Sequence, residues 1–439
     1  MKTILAGLLG MITLAWGWDL LSVTGPSGGS LPWTLRQHGL YLTGLYSIAL
    51  MSLAMMLATR PVWLERPLGG MDRVYRLHKW SGILAVGFAA AHWLIEMSDD
   101  VLKAVVGREG RLQKEKYTGF LEVLRKLAED MGEWAIYALL AMLVLTLWRR
   151  FPYQIWRFLH RAMPVIYLML ALHAALLAPR AYWTQPVGLL LALLLAGGAV
   201  SSIIALAGLI GRRRQVGGTV VSVSSAAGIT TVTCRLDESW QGHRPGQFAF
   251  ITFDRFEGAH PYTIASADRG NRTLTFQIKA LGDYTRGLAQ RVRPGQPVQV
   301  EGPYGRFDMA RRNPRAQQIW IAGGIGITPF LAWLESLQRH PEKAPVADLH
   351  YCTRDRATDS FVPRLQSLCA NLPGIRLQVH GSRQGEVLTA KTLGALQHKP
   401  ARAEVWFCGP KGLADTLRKD LQRAWNGKLR FHQEAFEMR

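Results

Sequence analysis

Charged residues are scarce in this 439-residue sequence, at 19%, and acidic residues are fewer than basic ones. Low charge combined with 49% hydrophobic residues excludes a disordered chain and a highly charged coiled coil. Cysteine is also sparse. The four cysteines all follow residue 211 and form no CxxC motif, which indicates a reduced, cytosolic location for that half.

Basic residues exceed acidic ones by 21, a balance that invites comparison with nucleic-acid-binding proteins. Here, however, the basic residues cluster beside apolar runs, where they orient a membrane protein. We therefore expect no nucleic-acid partner and a bilayer of membrane lipid instead.

Nearly all the long apolar runs lie before Gly211, and an arginine triplet, 212–214, marks the change to soluble composition. A membrane-spanning helix needs about 20 mostly apolar residues. The first run lacks a small-residue cleavage site, so we expect an uncleaved helix and not a signal peptide. Six spans are predicted, at residues 4–21, 39–57, 80–95, 134–148, 158–177 and 187–210.

Lysine and arginine concentrate in the second and fourth connections and after the sixth span, while the first and fifth connections carry only Arg36 and Arg180. This distribution predicts a multi-pass protein with both termini cytoplasmic, as in a bacterial inner membrane. The third connection, 98–132, holds seven basic residues and disturbs the pattern. Within it, Phe120, Leu121, Leu124 and Leu127 form a stripe that we interpret as a helix on the outer surface.

Four histidines fall inside the apolar spans, His78 and His92 on the third and His160 and His173 on the fifth. The spacings of 14 and 13 residues correspond to about 21 and 20 Å along a helix, which predicts two levels of paired imidazoles. Two such pairs suit the axial ligation of two haems, with His78 facing His160 and His92 facing His173. Interhelical hydrogen bonding explains one intramembrane histidine more easily than four. A 13-residue step leaves its two histidines about 140° apart on an ideal helix, so a tilt or a kink at Pro164 is required.

Residues 216–307 alternate in hydrophobicity between glycine and proline breaks, which predicts an antiparallel β-barrel. Within it lies His260-Pro261-Tyr262-Thr263-Ile264-Ala265-Ser266, an aromatic followed by hydroxyls that suits the edge of a flavin. The turn around Gly282 and Thr285 suits a pyrophosphate, and 302–305 closes the barrel. Each motif alone is also ordinary turn chemistry.

A short buried strand then leads into Gly323-Gly324-Ile325-Gly326-Ile327-Thr328-Pro329 and a helical pattern. Glycines between strand and helix allow a dinucleotide pyrophosphate to approach the helix N-terminus, although this is not the standard GxGxxG motif. Arg354 and Arg356 follow the next strand and favour NADPH over NADH. Cys408, Gly409 and Pro410 end a later strand, where ligands of open α/β sheets bind.

The order HPYTIAS, LGDYT, GPYG, AGGIGITPF and FCGP resembles the ferredoxin-reductase-type flavin and nicotinamide module. With the paired histidines, nearly the whole chain resembles the transmembrane NADPH oxidase and ferric reductase superfamily. The resemblance implies FAD at His260, Tyr262, Thr263, Ser266, Gly282 and Thr285, NADPH or NADH at 323–329 and 408–410, and two b-type haems. Departures are His260 where many soluble relatives have arginine, and Phe436 three residues before the end in place of a terminal aromatic covering the flavin.

The predicted architecture is a six-helix transmembrane di-haem domain (1–211), an antiparallel β-barrel FAD domain (212–310) and an α/β Rossmann-like NAD(P)H domain (311–439). The predicted activity is transfer of electrons from cytosolic NAD(P)H through FAD and haem to an external ferric chelate or dioxygen. One alternative is a relay that feeds an external electron-accepting protein. Another is a redox-sensing transporter with a histidine proton relay.

Overall fold

The structure is a computed structural model. It describes residues 2–22, 29–111, 117–148, 150–254, 257–394, 402–424 and 429–434. Contacts divide these residues into two compact units, one formed by 1–69 with 73–210 and the other by 70–72 with 211–439.

In its described residues, the first unit contains helices and no strands. Six of its helical segments are long and apolar enough to cross a membrane, as the sequence predicted. The fifth of these segments is formed by two helices, α6 and α7. The helices are α1 Lys2–Ser22, α2 Leu31–Ala58, α3 Val62–Leu68, α4 Met71–Val106, α5 Phe120–Leu147, α6 Tyr153–His160, α7 Met163–Leu177 and α8 Pro186–Leu206.

Two of these helices extend well beyond their apolar runs. The predicted stripe from Phe120 to Leu127 is helical and forms the first turns of α5, which continues without a break to Leu147; its place on the outer surface stays a prediction. Similarly, α4 continues to Val106, past the apolar run that ends at residue 95. Polar pairing explains the extension: Arg36 bonds Glu96 at 2.9 Å, and Asp99 pairs with Lys103 at 2.6 Å. These pairs satisfy charges that hydropathy alone treats as the end of a span.

The second unit begins with a six-stranded antiparallel sheet in the order β4-β3-β6-β1-β2-β5. The edge strands β4 and β5 are joined by a bridge between Ile264 and Phe276, so the sheet closes into the predicted barrel. Two short helices, α9 Asp283–Arg286 and α10 Leu288–Arg291, precede β6. The strands are β1 Gln215–Ala226, β2 Ile229–Leu236, β3 Phe248–Thr252, β4 His260–Thr263, β5 Thr273–Lys279 and β6 Pro297–Tyr304.

A five-stranded parallel sheet follows in the order β11-β10-β7-β8-β9, with helices between the strands. Its central strands are buried on both faces, which is why they read as continuous apolar runs. The strands are β7 Gln317–Gly323, β8 Ala347–Thr353, β9 Ile375–Gly381, β10 Ala403–Cys408 and β11 Leu429–Glu434, and the helices α11 Thr328–Arg339, α12 Phe361–Ala370, α13 Ala390–Gly394 and α14 Lys411–Ala424.

Aromatic side chains join the barrel to the parallel sheet. Phe307, just after the barrel, stacks on Trp333 of α11 with ring centres 5.0 Å apart. The indole N–H of Trp333 donates to the carbonyl of Pro245 at 3.0 Å. Gly246 follows in the left-handed region (φ +93°), and a Cβ there would lie 1.9 Å from the Phe307 carbonyl oxygen. A glycine is therefore required both by its backbone angle and by the close approach.

We expect Gly246→Ala to lower the thermal midpoint of the detergent-purified chain by about 4 °C or more relative to Gly270→Ala. Both positions have positive φ and cost roughly 1 kcal/mol on that account. A Cβ at Gly270, however, meets nothing within 4 Å. Each further 1 kcal/mol corresponds to about 2–4 °C in a unit of this size. Tryptophan fluorescence during heating measures the difference, and equal midpoints would contradict the packing role assigned to Gly246.

Candidate functional site

Two pairs of histidines face each other inside the helical unit. The ring centres of His78 and His160 lie 6.2 Å apart with planes at 81°, and those of His92 and His173 lie 6.3 Å apart at 82°. Because α4 runs unbroken through His78 and His92, their 14-residue spacing returns both to one helix face. The structure thus brings together the two pairs that the spacing indicated.

The two histidines that face α4, His160 and His173, lie on two helices and not on one. Helix α6 ends at His160, a turn at Arg161 and Ala162 follows, and α7 begins at Met163 with Pro164 in its first turn. Proline fits a first turn because its missing N–H has no intrahelical acceptor there. This break removes the 140° discrepancy expected of a continuous helix, so His160 and His173 both face α4.

Three of the four imidazoles are held through Nδ1 by backbone carbonyls. His78 bonds the carbonyl of Ala54 at 2.9 Å, His92 that of Leu40 at 2.9 Å, and His173 that of Ala128 at 2.7 Å. Since a carbonyl oxygen only accepts, Nδ1 carries the proton and donates. The lone pair is then on Nε2, as in histidines that bind metals through that nitrogen.

At two of these carbonyls, a glycine leaves the space that the imidazole needs to reach the oxygen. A Cβ on Gly44 would lie 3.1 Å from His92 Nδ1, and one on Gly132 would lie 2.4 Å from His173 Nδ1. Each glycine is four residues after the accepting carbonyl. Helical side chains lean towards the N-terminus and would cover that oxygen. Gly44 and Gly132 were missed by sequence reasoning. A glycine inside the predicted span 39–57 was the available signal for Gly44, whereas Gly132 lies in the connection before the fourth predicted span.

In the barrel, the HPY motif forms an aromatic stack on β4. His260 stacks on Tyr284 with ring centres 4.6 Å apart and on Tyr262 at 6.3 Å. The hydroxyl oxygen of Tyr262 is buried and has no hydrogen-bond partner among the residues that the structure describes. Burial, and then the neighbouring Tyr284 and Glu257, raise the pKa of Tyr262, so the hydroxyl stays protonated. A buried hydroxyl without a partner costs free energy unless a ligand supplies one, which fits a flavin edge.

The other residues assigned to the flavin have structural contacts of their own. Thr263 is buried opposite Phe248. The Ser266 hydroxyl accepts the Thr275 N–H at 3.1 Å where the barrel closes. Pro261 lies between His260 and Tyr262 on β4. Elsewhere, Thr285 Oγ1 accepts the Gly282 N–H at 3.0 Å and fixes the turn before α9. Their contacts with a flavin stay predictions.

The two nicotinamide motifs meet at the carboxyl edge of the parallel sheet. In register, Ala322 of β7 lies beside Cys408 of β10. A Cβ on Gly326 would lie 2.2 Å from the Cys408 carbonyl oxygen, and one on Gly323 would lie 2.6 Å from Pro410. Gly324 adopts φ +54°. These glycines thus allow two backbone segments to touch at the edge where ligands of such sheets bind.

Helix α11 starts directly behind these glycines. Thr328 donates its hydroxyl to the Ile325 carbonyl at 3.0 Å, and Pro329 occupies the first turn. Burial raises the pKa of the Cys408 thiol well above its ordinary value, with the Glu434 carboxylate adding to the effect. Cys408 is therefore a neutral thiol at physiological pH. Phe436, predicted to cover the flavin, lies outside the described residues.

The two arginines after β8 differ in their contacts. Arg356 pairs with Glu386 at 3.4 Å. Arg354 is exposed, and within the described ranges its guanidinium has no acidic partner. Its carbonyl accepts the N–H of Arg383 at 2.9 Å, which brings a further cation to the same edge. Arg383 was missed by sequence reasoning because the contact depends on the β8–β9 pairing.

Family models match both units. Residues 43–171 match the ferric reductase like transmembrane component, and residues 221–308 match an FAD-binding domain. Three of the paired histidines lie inside the first match, and His173 lies just beyond it.

Curated relatives match half of the chain or less. An NADPH oxidoreductase of Mycobacterium tuberculosis is 28% identical over 202 residues, 44% of this chain and 52% of that protein. The anthranilate 1,2-dioxygenase electron transfer component of Acinetobacter baylyi is 24% identical over 230 residues, 50% of this chain and 66% of that protein. The chain spans about half the length of most curated relatives it matches.

Among solved structures, a flavohemoglobin from Malassezia yamatoensis with bound FAD and heme has a TM-score of 0.51 at 15% identity, covering 93% of this chain and 100% of that one. This likeness shows the fold alone. The family matches and the relatives support binding of FAD and NAD(P)H by an oxidoreductase with a multi-pass membrane domain. The chain has the architecture of the transmembrane NADPH oxidase and ferric reductase superfamily.

Proposed function

We propose that the protein carries electrons from cytosolic NAD(P)H through FAD and two b-type haems to a one-electron acceptor outside the membrane. The observation that carries this proposal is the geometry of the two histidine pairs. With the termini cytoplasmic, His78 and His160 hold the inner haem, and His92 and His173 hold the outer one.

The spacing of the rings fits two axial ligands on one metal. A metal–imidazole bond is about 2 Å long, so the two coordinating nitrogens lie about 4 Å apart. Adding roughly 1.1 Å from nitrogen to ring centre on each side gives about 6 Å between ring centres. The observed separations are 6.2 and 6.3 Å. Direct hydrogen bonding between neutral imidazoles requires a nitrogen separation of only about 3 Å.

The number of protein ligands also fits haem. Within the described ranges, no group of three or more histidine, cysteine, aspartate or glutamate side chains is arranged to hold a metal ion. A pair of imidazoles leaves a metal short of a complete coordination sphere unless another ligand completes it. A porphyrin supplies the remaining nitrogens, and two axial histidines leave no open position, which favours electron transfer.

When bound, flavin and haem together supply the conversion of a two-electron hydride donor into single electrons. The protein's task is to hold these groups. Tyr262 offers its buried hydroxyl to the flavin. The ring of His260 stacks on both Tyr262 and Tyr284 and thereby stabilises this segment. Gly323 and Gly326 allow the Cys408–Pro410 segment to approach closely, which brings the neutral thiol of Cys408 to the sheet edge where we propose that the nicotinamide binds.

For the acceptor, ferric chelates and dioxygen are both suitable one-electron acceptors, and we favour a ferric chelate. A second candidate is a relay that feeds an external electron-accepting protein. It is supported by similarity to the electron transfer component of a dioxygenase. Slow turnover with soluble acceptors that rises when a partner protein is added would favour the relay.

The proposal predicts close to two haems per chain in the detergent-purified protein and b-type reduced bands after anaerobic addition of NADPH. His92→Ala and His173→Ala should each lower haem content towards one and abolish external ferric reduction, while flavin bleaching by NADPH persists. Optical spectra measure both effects. Wild-type rates in either variant would refute this path. A well-folded, flavin-containing protein without haem would return the histidines to a proton-carrying or structural role.

Gly132→Ala should also remove or disorder the outer haem, because its Cβ displaces His173 from the Ala128 carbonyl. Gly10→Ala is the matched control: it lies on α1, which carries none of the paired histidines, and a Cβ there meets nothing within 4 Å. We expect Gly10→Ala to keep both haems. The haem-to-protein ratio distinguishes the variants, and equal ratios would contradict the role of Gly132.

The choice of nucleotide depends on the arginines after β8. Arg354→Ala should raise the KM for NADPH about tenfold while leaving that for NADH unchanged, since a charge-assisted hydrogen bond is worth about 1.5–3 kcal/mol. Arg356→Ala should have a smaller effect because Glu386 already engages Arg356. Anaerobic flavin reduction with both nucleotides measures this. An equal change for NADH would show that Arg354 does not contact a 2′-phosphate.

A further inference from the structure

The four paired imidazoles are not held alike. His78, His92 and His173 each donate from Nδ1 to a backbone carbonyl. His160, in contrast, has no hydrogen bond to any part of the chain that the structure describes. Its ring instead stacks on Trp156, with ring centres 4.8 Å apart and planes at 19°.

Trp156 is itself fixed in place. Its indole N–H donates to Thr146 Oγ1 at 2.8 Å, and Thr146 donates in turn to the Met142 carbonyl at 2.7 Å. The indole is therefore anchored to α5, while its backbone belongs to α6. Trp156 and His160 are four residues apart, the spacing at which helical side chains touch.

The position of His160 makes such support necessary. It is the last residue of the eight-residue helix α6, and the chain breaks at Arg161 and Ala162 before α7. An imidazole without a hydrogen bond on Nδ1 is free to rotate about its side-chain torsions unless neighbouring groups restrict it. The indole face restricts this rotation and holds the ring in place opposite that of His78.

We propose that Trp156 is the positioning residue for His160, so that one iron is held by a hydrogen-bonded and a stacked imidazole and the other by two hydrogen-bonded ones. This inference rests on the proposed haem ligation. Hydrogen bonding at Nδ1 makes an imidazole a stronger donor to its metal. The His78–His160 site therefore has the weaker ligand set and is the one that opens when its support is removed.

The test uses carbon monoxide, which binds a reduced haem only where an axial position opens. We expect the dithionite-reduced wild type, with two six-coordinate haems, to bind little carbon monoxide. Trp156→Leu should bind about one equivalent per chain, or lose about one of its two haems. Thr146→Val, which removes only the hydrogen-bond acceptor of the indole, should also raise carbon monoxide binding, but by less than Trp156→Leu. Trp156→Phe, which keeps a stacking ring, should stay closer to wild type than Trp156→Leu.

Trp93→Leu is the matched control. Trp93 is also half-buried and is adjacent in sequence to His92, but its ring contacts Tyr137 and not a paired histidine. It should leave both haems six-coordinate. The proposal is overturned if Trp156→Leu binds no more carbon monoxide than wild type, or if Trp93→Leu opens a site equally. If Trp156→Leu does not fold, the proposal is overturned when Thr146→Val binds no more carbon monoxide than the wild type. Absence of haem from the wild type instead removes the proposed function.

Discussion

A buried imidazole in a membrane is held most firmly when one ring nitrogen donates a hydrogen bond and leaves the other for a metal, as three of the four paired histidines do. In the helical unit the available acceptors are backbone carbonyls, and these already receive intrahelical hydrogen bonds. A second donor reaches such an oxygen only where the side chain four residues later is absent or small. Gly44 and Gly132 follow this rule, and Ala58 occupies the corresponding position after the Ala54 carbonyl. The arrangement of α2, α4, α5 and α7 therefore depends on small residues at these crossings.

The sequence indicated the six spans because apolar length is a direct physical requirement of the bilayer. It indicated the barrel because its strands alternate in hydrophobicity, and the parallel sheet because its strands read as short, continuous apolar runs. It misjudged the limits of α4 and α5. Hydropathy ends the span before Glu96 and Asp99, whereas in the structure Glu96 pairs with Arg36 of α2 and Asp99 pairs with Lys103 of α4 itself. Pro164 indicated a kink in this region of the sequence. The position of the break, at Arg161 and Ala162, could be assigned only once both histidines were seen to face α4.

For the candidate site, residue type and spacing were enough to pair His78 with His160 and His92 with His173. They gave no information on the carbonyls of Leu40, Ala54 and Ala128, since every residue has a carbonyl. Likewise, Trp156 resembled any interfacial tryptophan until its ring lay against His160. In the second unit the meeting of Gly326 with Cys408 followed from parallel strand register, which no single stretch of sequence encodes.

The break between α6 and α7 also divides the bundle mechanically. His78 and His92 belong to one continuous helix, so any shift of α4 moves both together. His160 and His173 belong to two helices joined by a two-residue turn, so a substitution in one helix can change the orientation of its histidine without changing that of the other. In the proposed arrangement of two haems, substitutions confined to the eight residues of α6 would therefore alter one haem site and leave the other as it is.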